Sequence, residues 1–243
     1  MQKQFNSVAG LLRGLARRHD AGQIFNDFLT IGICEFHRTN IQSRLQQKDD
    51  ANEKLYLNTI KPYNRKELNT FAKIMGTLMN TVYQEPYSDT LGEYYTMEIT
   101  KGQNGQFFTP NALTKLMGEL VTDPEEIISK QKIIDPACGS GRILLGFAQK
   151  HPDNYFYGAD NNNTCAKMST LNFFLNGLRG EVAWMNTLSM EWYGGWHINT
   201  KGLGIVPIEK EQSRIWSHPP IKKENNSKPP EYNSGDGIQL GLF

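Results

Sequence analysis

The 243-residue sequence contains only three cysteines, Cys34, Cys138 and Cys165, which show neither even pairing nor metal-ligand spacing. This scarcity argues against a disulfide framework, and with only five scattered histidines it also argues against a metal site. No run approaches the ~18 uninterrupted apolar residues of a membrane span. The first residues also lack the apolar core of a signal peptide. We therefore expect a cytoplasmic globular protein that binds neither metal nor membrane.

A strong charge of one sign is also missing. The formal net charge is +1, whereas a protein that grips DNA alone usually carries a basic face and gains affinity by releasing counterions. The balance argues mildly against independent DNA binding. If DNA is the substrate, we expect another domain or protein to supply much of the grip.

The chain does contain an apolar strand that ends in a glycine-rich turn, IIDPACGSG at 133–141. Gly139 and Gly141 would let the backbone turn tightly and approach a ligand where a Cβ would clash. About twenty residues further on, a second strand ends in Asp160, whose carboxylate could accept hydrogen bonds from ribose hydroxyls. The pattern predicts a nucleoside-binding edge.

Strand and helix patterns alternate from about 104 to 206, as is typical of parallel βαβ units. The predicted strands cover 132–135, 155–160 and 181–186, and the predicted helices cover 111–120, 142–150 and 163–176. This alternation predicts an α/β fold with a parallel sheet.

Residues 1 to about 100 are instead predicted to be helical, because their apolar residues recur at intervals of three and four. Asp20 and Ser88 are the expected N-caps. We interpret these helices as a packing module that covers one side of the sheet. The alternative is a DNA or subunit interface that uses Arg13, Arg17, Arg18 and Arg38.

Three segments in sequence order carry a family resemblance: GQFFTP at 105–110, the turn DPACGSG at 135–141, and the strand that ends in Asp160. Together they resemble the amino-methylating DNA methyltransferases, particularly the modification subunits of type I restriction systems and their shorter relatives on mobile elements. The resemblance spans roughly residues 89 to 186. It implies a Rossmann-like methyltransferase fold, S-adenosylmethionine as cofactor, double-stranded DNA as substrate and a specificity subunit as partner. A turn in some other doubly wound enzyme would leave GQFFTP unexplained.

The resemblance also assigns roles to individual residues. In the family, GQFFTP packs around the methionine end of the cofactor, the glycine turn cradles it, and the acid after the second strand holds the ribose. The cofactor-binding residues implied here are Phe107, Thr109, Pro110, Asp135, Pro136, Ala137, Gly139, Gly141 and Asp160. Asn186 stands where the family often has an acid that accepts from the adenine amino group, and it is equally consistent with a residue that only closes a turn.

The segment expected to carry the chemistry departs from the family pattern. The family has Asn or Asp, then Pro-Pro and an aromatic residue, so that two carbonyls accept the target amino hydrogens and the aromatic ring stacks on a flipped base. The candidate here is His218-Pro219-Pro220, followed by Ile221. A neutral imidazole offers one acceptor nitrogen, and isoleucine cannot stack. The alternative is a proline-rich linker, and because few residues follow His218 we expect a truncated sheet.

The last residues give an independent signal. Gln239, Leu240, Leu242 and Phe243 resemble the short peptide with which bacterial replication proteins dock on the sliding clamp. The preceding stretch, 222–237, is polar and rich in proline and glycine, so we expect a disordered tether that raises the effective concentration near DNA. The alternative is a tail that folds back onto the core.

The predicted organisation is a helical domain at 1–100, a cofactor-binding domain at 101–220 and a tail at 221–243. The predicted function is an S-adenosylmethionine-dependent methyltransferase that acts on the adenine amino group of DNA. One alternative is an inactive cofactor-binding module that works through partners such as the clamp. Methylation of RNA or protein is a third hypothesis.

Overall fold

The structure is a computed structural model and describes residues 2–37, 49–101, 128–200, 202–217 and 238–239. Its helices are α1 (Gln2–Leu15), α2 (Ala21–Glu35), α3 (Asp50–Ile60), α4 (Arg65–Gln84), α5 (Thr90–Tyr94), α6 (Arg142–Lys150), α7 (Asn163–Leu175) and α8 (Arg214–Ser217), with a π-helix at Tyr95–Thr100 and a 3-10 helix at Lys210–Gln212. Its strands are β1 (Lys132–Asp135), β2 (Tyr155–Asp160), β3 (Arg179–Asn186), β4 (Glu191–Ile198), β5 (Ile205–Pro207) and β6 (Ile238–Gln239). No helix in these ranges is long and apolar enough to cross a bilayer.

The strands form one sheet in the order β5-β4-β3-β2-β1-β6. Strand β2 lies parallel to both β1 and β3, and β6 lies parallel to β1, whereas β4 and β5 are antiparallel additions. Helices α6 and α7 connect the three central strands as the predicted βαβ units. The bounds of β1, α6 and β2 agree with the sequence-based prediction, and the Rossmann-like α/β fold is confirmed.

The antiparallel strands β4 and β5 were not predicted, because the alternation up to residue 206 was interpreted as parallel units only. Strand β3 returns directly into β4 through a hairpin in which Asn186 pairs with Glu191, and Met190 adopts a left-handed φ of 57°. The segment Glu191–Ile198 contains three aromatic residues, Trp192, Tyr193 and Trp196, and no proline. Aromatic residues are enriched in strands, so the composition of this segment carried a signal for β4.

The two faces of the sheet are covered by different elements. Helices α6 and α7 lie on one face, where Phe147 and Phe173 belong to the same buried cluster as Val182. Helix α8 lies on the other face, where Trp216 packs against Ala183. Burying a side chain as large as phenylalanine stabilises a fold by about 1.5–3 kcal/mol, so both layers contribute to holding the strand ends in place.

Helix α7 is shared between the sheet and the amino-terminal helices. Its residues Cys165, Met168 and Leu171 belong to the hydrophobic core that α1, α2, α4 and α5 form. Lys167 of the same helix donates to Asn26 Oδ1 of α2 at 3.0 Å. The amino-terminal helices therefore pack onto the sheet through α7. The domain boundaries at residues 100 and 220 stay predictions.

The helix starts confirm one predicted cap and correct the other. Asp20 caps α2 by accepting from Gln23 N at 2.8 Å. Ser88 was the wrong choice for α5, which is capped by Asp89 accepting from Gly92 N at 2.8 Å. Adjacent serine and aspartate are both good N-caps. The aspartate takes the position because its buried carboxylate also meets donors from α6 and α7, as described below.

The arginines considered for a DNA or subunit interface have different environments. Arg13 forms an ion pair with Glu98 of the π-helix at 2.8 Å. Arg18 lies 4.0 Å from Glu67 and is largely exposed, and Arg17 is also exposed. Arg38 lies outside the described residues. Arg13 thus links α1 to the π-helix, which supports the packing interpretation at that residue.

Candidate cofactor site

The glycine turn joins β1 to α6 at the carboxyl edge of the sheet. Gly139 and Gly141 have positive φ values of 56° and 82°, in the left-handed region that favours glycine. A Cβ at Gly141 would lie 3.0 Å from both Phe173 and Ser169. Backbone conformation and lack of space therefore both require a glycine at the start of α6, as the motif predicts.

Asp160, at the end of β2, connects this turn to the next one. Its Oδ2 atom accepts from Gly139 N at 2.9 Å, and its Oδ1 atom accepts from Asn162 N at 2.8 Å. Burial raises the pKa of this carboxyl, although the two amide donors oppose the shift. Each oxygen keeps a further lone pair that could accept from a ribose hydroxyl. The tie between the two turns was not predicted, and the ribose contact stays a prediction.

Asp135, at the end of β1, has one buried oxygen to which no described residue donates. Its Oδ1 atom accepts from Ala137 N at 3.0 Å, whereas Oδ2 has no hydrogen-bond partner among the described residues. Burial, with a smaller contribution from the charge of Asp160, raises the pKa of Asp135 to about 6. A buried carboxylate oxygen that lacks a donor fits a positively charged ligand, because the ligand would supply the missing counter-charge.

Side chains and backbone groups beneath the turn hold it in place. Ser169 of α7 donates to Gly139 O at 2.9 Å, and Cys138 N donates to Ala159 O at 2.9 Å. Burial raises the pKa of the Cys138 thiol well above its ordinary value. Cys138 is therefore an unreactive small residue packed in the turn.

Asn186, at the end of β3, closes the β3–β4 turn. Its Oδ1 atom accepts from Leu188 N at 3.0 Å and from Ser189 N at 3.1 Å. Thr187 then donates to Pro136 O at 3.1 Å, which joins this hairpin to the glycine turn. The turn-closing role is present in the structure, and the contact with an adenine amino group stays a prediction.

The ends of β1, β2 and β3 bring one group of the predicted cofactor residues to a common edge. These are Asp135, Pro136, Ala137, Gly139, Gly141, Asp160 and Asn186. Other predicted site residues lie outside the described residues: Phe107, Thr109, Pro110, His218, Pro219, Pro220, Leu240, Leu242 and Phe243. The roles assigned to all of them stay predictions.

Gln239 is the one residue of the clamp-like peptide that the structure describes. It lies in β6, where it pairs with Ile134 of β1. A free tether is therefore not what the structure shows at Ile238–Gln239. The parallel pairing resembles the tail folding back onto the core, which was the alternative considered for this segment.

The parallel strands β1, β2 and β3, which end in a glycine turn and two acids, have the arrangement typical of a Rossmann-like fold. The family model described as N-6 DNA Methylase matches residues 83–233, which is more than half of the 243 residues. The chain belongs to the N-6 DNA Methylase family.

Curated relatives match a limited part of the chain. The type I restriction enzyme MjaVIII methylase subunit of Methanocaldococcus jannaschii is 33% identical over 104 residues, which cover 40% of this chain and 17% of that subunit. A release factor glutamine methyltransferase of Thermodesulfovibrio yellowstonii is 27% identical over 103 residues, or 41% of this chain and 36% of the relative. The matches thus span well under half the length of either relative.

A solved type I restriction-modification methyltransferase subunit from Streptococcus thermophilus overlaps 72% of this chain and 55% of its own. The TM-score is 0.39 and the sequence identity is 15%. Similarity at this level is too low to define the fold, which rests instead on the strand order and the family match.

Proposed function

We propose that the chain is an S-adenosylmethionine-dependent DNA methyltransferase module that acts on the adenine amino group. The observation that carries the proposal is the meeting of the glycine turn, Asp135 and Asp160 at one edge of the sheet, inside the region matched by the N-6 DNA Methylase model. When bound, the cofactor would supply the methyl group. The residues of the chain would bind and orient it.

Each acid would have a separate task in binding. The Asp135 oxygen that lacks a donor among the described residues would face the positive charge of the cofactor, and the spare lone pairs of Asp160 would accept from its ribose. The positive φ values at Gly139 and Gly141 let the backbone approach the ligand without an intervening Cβ. Phe107, Thr109 and Pro110 would complete the site around the methionine end.

The acceptor side of the reaction belongs to His218, Pro219 and Pro220 in this proposal. The imidazole nitrogen and the carbonyl of Pro219 would accept the two hydrogens of the target amino group, which leaves the nitrogen lone pair available for methyl transfer. Protonation of the imidazole would remove its acceptor, so His218 must stay neutral during the reaction.

Double-stranded DNA and a specificity subunit are the proposed partners. A methylase subunit of a type I restriction enzyme among the relatives supports both. The net charge of +1 provides little electrostatic attraction for DNA, which is a reason for a further subunit to contribute the grip. A cytoplasmic location, where DNA and such subunits meet, is part of the same proposal.

The test is methyl transfer from tritium-labelled S-adenosylmethionine to mixed-sequence duplex DNA, with cofactor binding measured by calorimetry. We expect N6-methyladenine in the digested product and loss of transfer, but not of cofactor binding, in His218→Ala. Binding by the native chain without transfer would instead favour an inactive module that works through partners. A chain that does not bind the cofactor would contradict both functions.

Methylation of a glutamine amide in a protein is the second candidate. It is favoured by the relative from Thermodesulfovibrio yellowstonii, which is a release factor glutamine methyltransferase. A carboxamide nitrogen and the adenine amino group both present two hydrogens to the acceptors, so one site chemistry suits either. A glutamine-containing peptide in the same transfer assay distinguishes them, since label on the peptide alone would overturn the DNA proposal.

Docking on the sliding clamp is a separate part of the proposal. Deleting 239–243 is expected to abolish retention of the chain on immobilised clamp, because the deletion removes the proposed apolar anchors Leu242 and Phe243. Gln239 would have to leave its pairing with Ile134 to dock, so clamp binding should be slower than for a free peptide. Retention that is equal with and without the five residues would end this prediction.

A further inference from the structure

We infer that Asp89 is a positioning residue that holds the cofactor turn in its binding conformation from the amino-terminal helices. The inference rests on the proposed function, because it concerns the same cofactor site. Within the part of the chain that the structure describes, the Asp89 side chain bonds to none of the predicted cofactor residues themselves. It acts through Ser140 and Arg142, which flank Gly141.

The Asp89 carboxylate is 4% exposed and accepts four hydrogen bonds. Oδ1 accepts from Gly92 N and from Asn172 Nδ2, both at 2.8 Å. Oδ2 accepts from Ser140 Oγ at 2.5 Å and from Arg142 Nε at 2.8 Å. One carboxylate therefore joins the start of α5 to the glycine turn, to the first residue of α6 and to the last turn of α7.

The contact between Asp89 and Ser140 leaves no room for a side chain at Gly92, in the first turn of α5. A Cβ at Gly92 would lie 2.2 Å from Asp89 Oδ2 and 2.5 Å from Ser140 Oγ. Asn172 closes the arrangement by donating to Ser140 O at 2.9 Å. The glycine turn is thus held at the fully buried Ser140, through both its backbone carbonyl and its side-chain hydroxyl.

The same segment contacts the second turn of the site at its other end. Tyr95, in the first turn of the π-helix, is buried, and its hydroxyl lies close enough to the side chain of Asn162 and to the charge of Asp160 for both to affect its pKa. The backbone N–H of Asn162 is one of the two donors to Asp160. The segment from Asp89 to Thr100, which we name the bracing segment, therefore contacts both turns that Asp160 ties together.

This arrangement predicts that the bracing segment affects the affinity of the chain for the cofactor. Hydrogen bonds to a charged group are strong and directional, so their loss should allow the turn to sample conformations that cannot bind. In Asp89→Asn the charge that pairs with Arg142 is lost while the shape is kept. We expect the cofactor dissociation constant to rise about tenfold, with transfer at saturating cofactor within about twofold of the native chain.

Glu98→Gln is the matched control, because Glu98 lies in the bracing segment but pairs with Arg13 of α1 rather than with the glycine turn. It should leave cofactor affinity unchanged. Ser140→Ala is the milder test variant, since it removes one bond to Asp89 and keeps the ion pair with Arg142. It should raise the dissociation constant about threefold and should fold even if Asp89→Asn does not.

Hydrogen–deuterium exchange provides a readout that does not require cofactor. The amides of Gly139 and Gly141 are bonded to Asp160 and to Cys138 O, so both are protected in the intact turn. In Asp89→Asn or Ser140→Ala we expect exchange at these two amides to accelerate at least about threefold, with no change in Glu98→Gln. Unchanged exchange would overturn the inference whatever the cofactor result. If exchange is faster in these variants but the native chain does not bind S-adenosylmethionine, the result contradicts the proposed function and leaves the role of Asp89 in holding the turn intact.

Discussion

Asp160→Ala is expected to lower the affinity for S-adenosylmethionine at least about 100-fold. The substitution removes the acceptors of Gly139 N and Asn162 N together with the predicted ribose contacts. Hydrogen bonds to a charged group contribute about 1.5–3 kcal/mol each, so losing two of them to the ligand corresponds to roughly two orders of magnitude. Calorimetric titration of the native and variant chains measures the change directly.

Two further variants separate binding from folding. Asp160→Asn keeps one acceptor oxygen, and we expect it to lose less affinity than the alanine variant. Asp153→Asn alters an exposed acid that pairs with Arg179 at 2.7 Å and should bind like the native chain. If Asp160→Ala kept its melting temperature and bound within about threefold of the native chain, Asp160 would not hold the ribose.

Cofactor binding should also weaken as the pH falls through about 6. Burial raises the pKa of Asp135 from an ordinary value of 3.8 to about 6 in the free protein, so the carboxyl gains a proton below that pH. A positively charged ligand favours the ionised form. We therefore expect affinity to be constant above pH 6 and to fall by up to about tenfold per pH unit below it.

The stability of the free protein should change in the opposite direction. Because the folded-state pKa is raised, ionisation of Asp135 destabilises the fold by about 3 kcal/mol once the pH exceeds about 6, and this penalty disappears as the pH falls towards 4. Asp135→Asn cannot ionise. At pH 7.5 we expect it to melt a few degrees higher than the native chain while binding the cofactor at least about tenfold more weakly.

Calorimetry and thermal melting between pH 4.5 and 8, in steps of about half a unit, measure both effects. Asp153→Asn again serves as the control, since it reports how the other carboxyls respond to pH. A native chain whose affinity does not vary with pH would show that Asp135 is not opposite a positive charge. Asp135→Asn that melted lower at pH 7.5 would show that the carboxylate is stabilised in the fold.

The βαβ core could be predicted because its signals are local. Ile133 and Ile134 form an apolar strand that the glycine turn terminates, and the turn residues also fix where α6 begins. Asp160 was found by its spacing from that turn. Its bonds to Gly139 N and Asn162 N could not be predicted, because they depend on how close two separate turns come in the folded sheet.

Asp89 could not be identified for the same reason. Its partners Ser140, Arg142 and Asn172 lie 51, 53 and 83 residues away along the chain, so no spacing pattern joins them. Helix α3 lies in the region predicted to be helical, but its own bounds could not be predicted, because it has no buried residue and hence no apolar stripe to detect. Periodicity finds the elements that bury a face, whereas contacts between distant polar residues require the fold.

The position of α7 between the sheet and the amino-terminal helices constrains how such a protein can change over time. One surface of α7 must suit the strands, and the opposite surface, with Met168 and Leu171, must suit the helices. A substitution on either surface is compensated only by a partner from the matching layer. Exchanging the amino-terminal helices with those of a distant relative should therefore fail unless α7 is transferred with them.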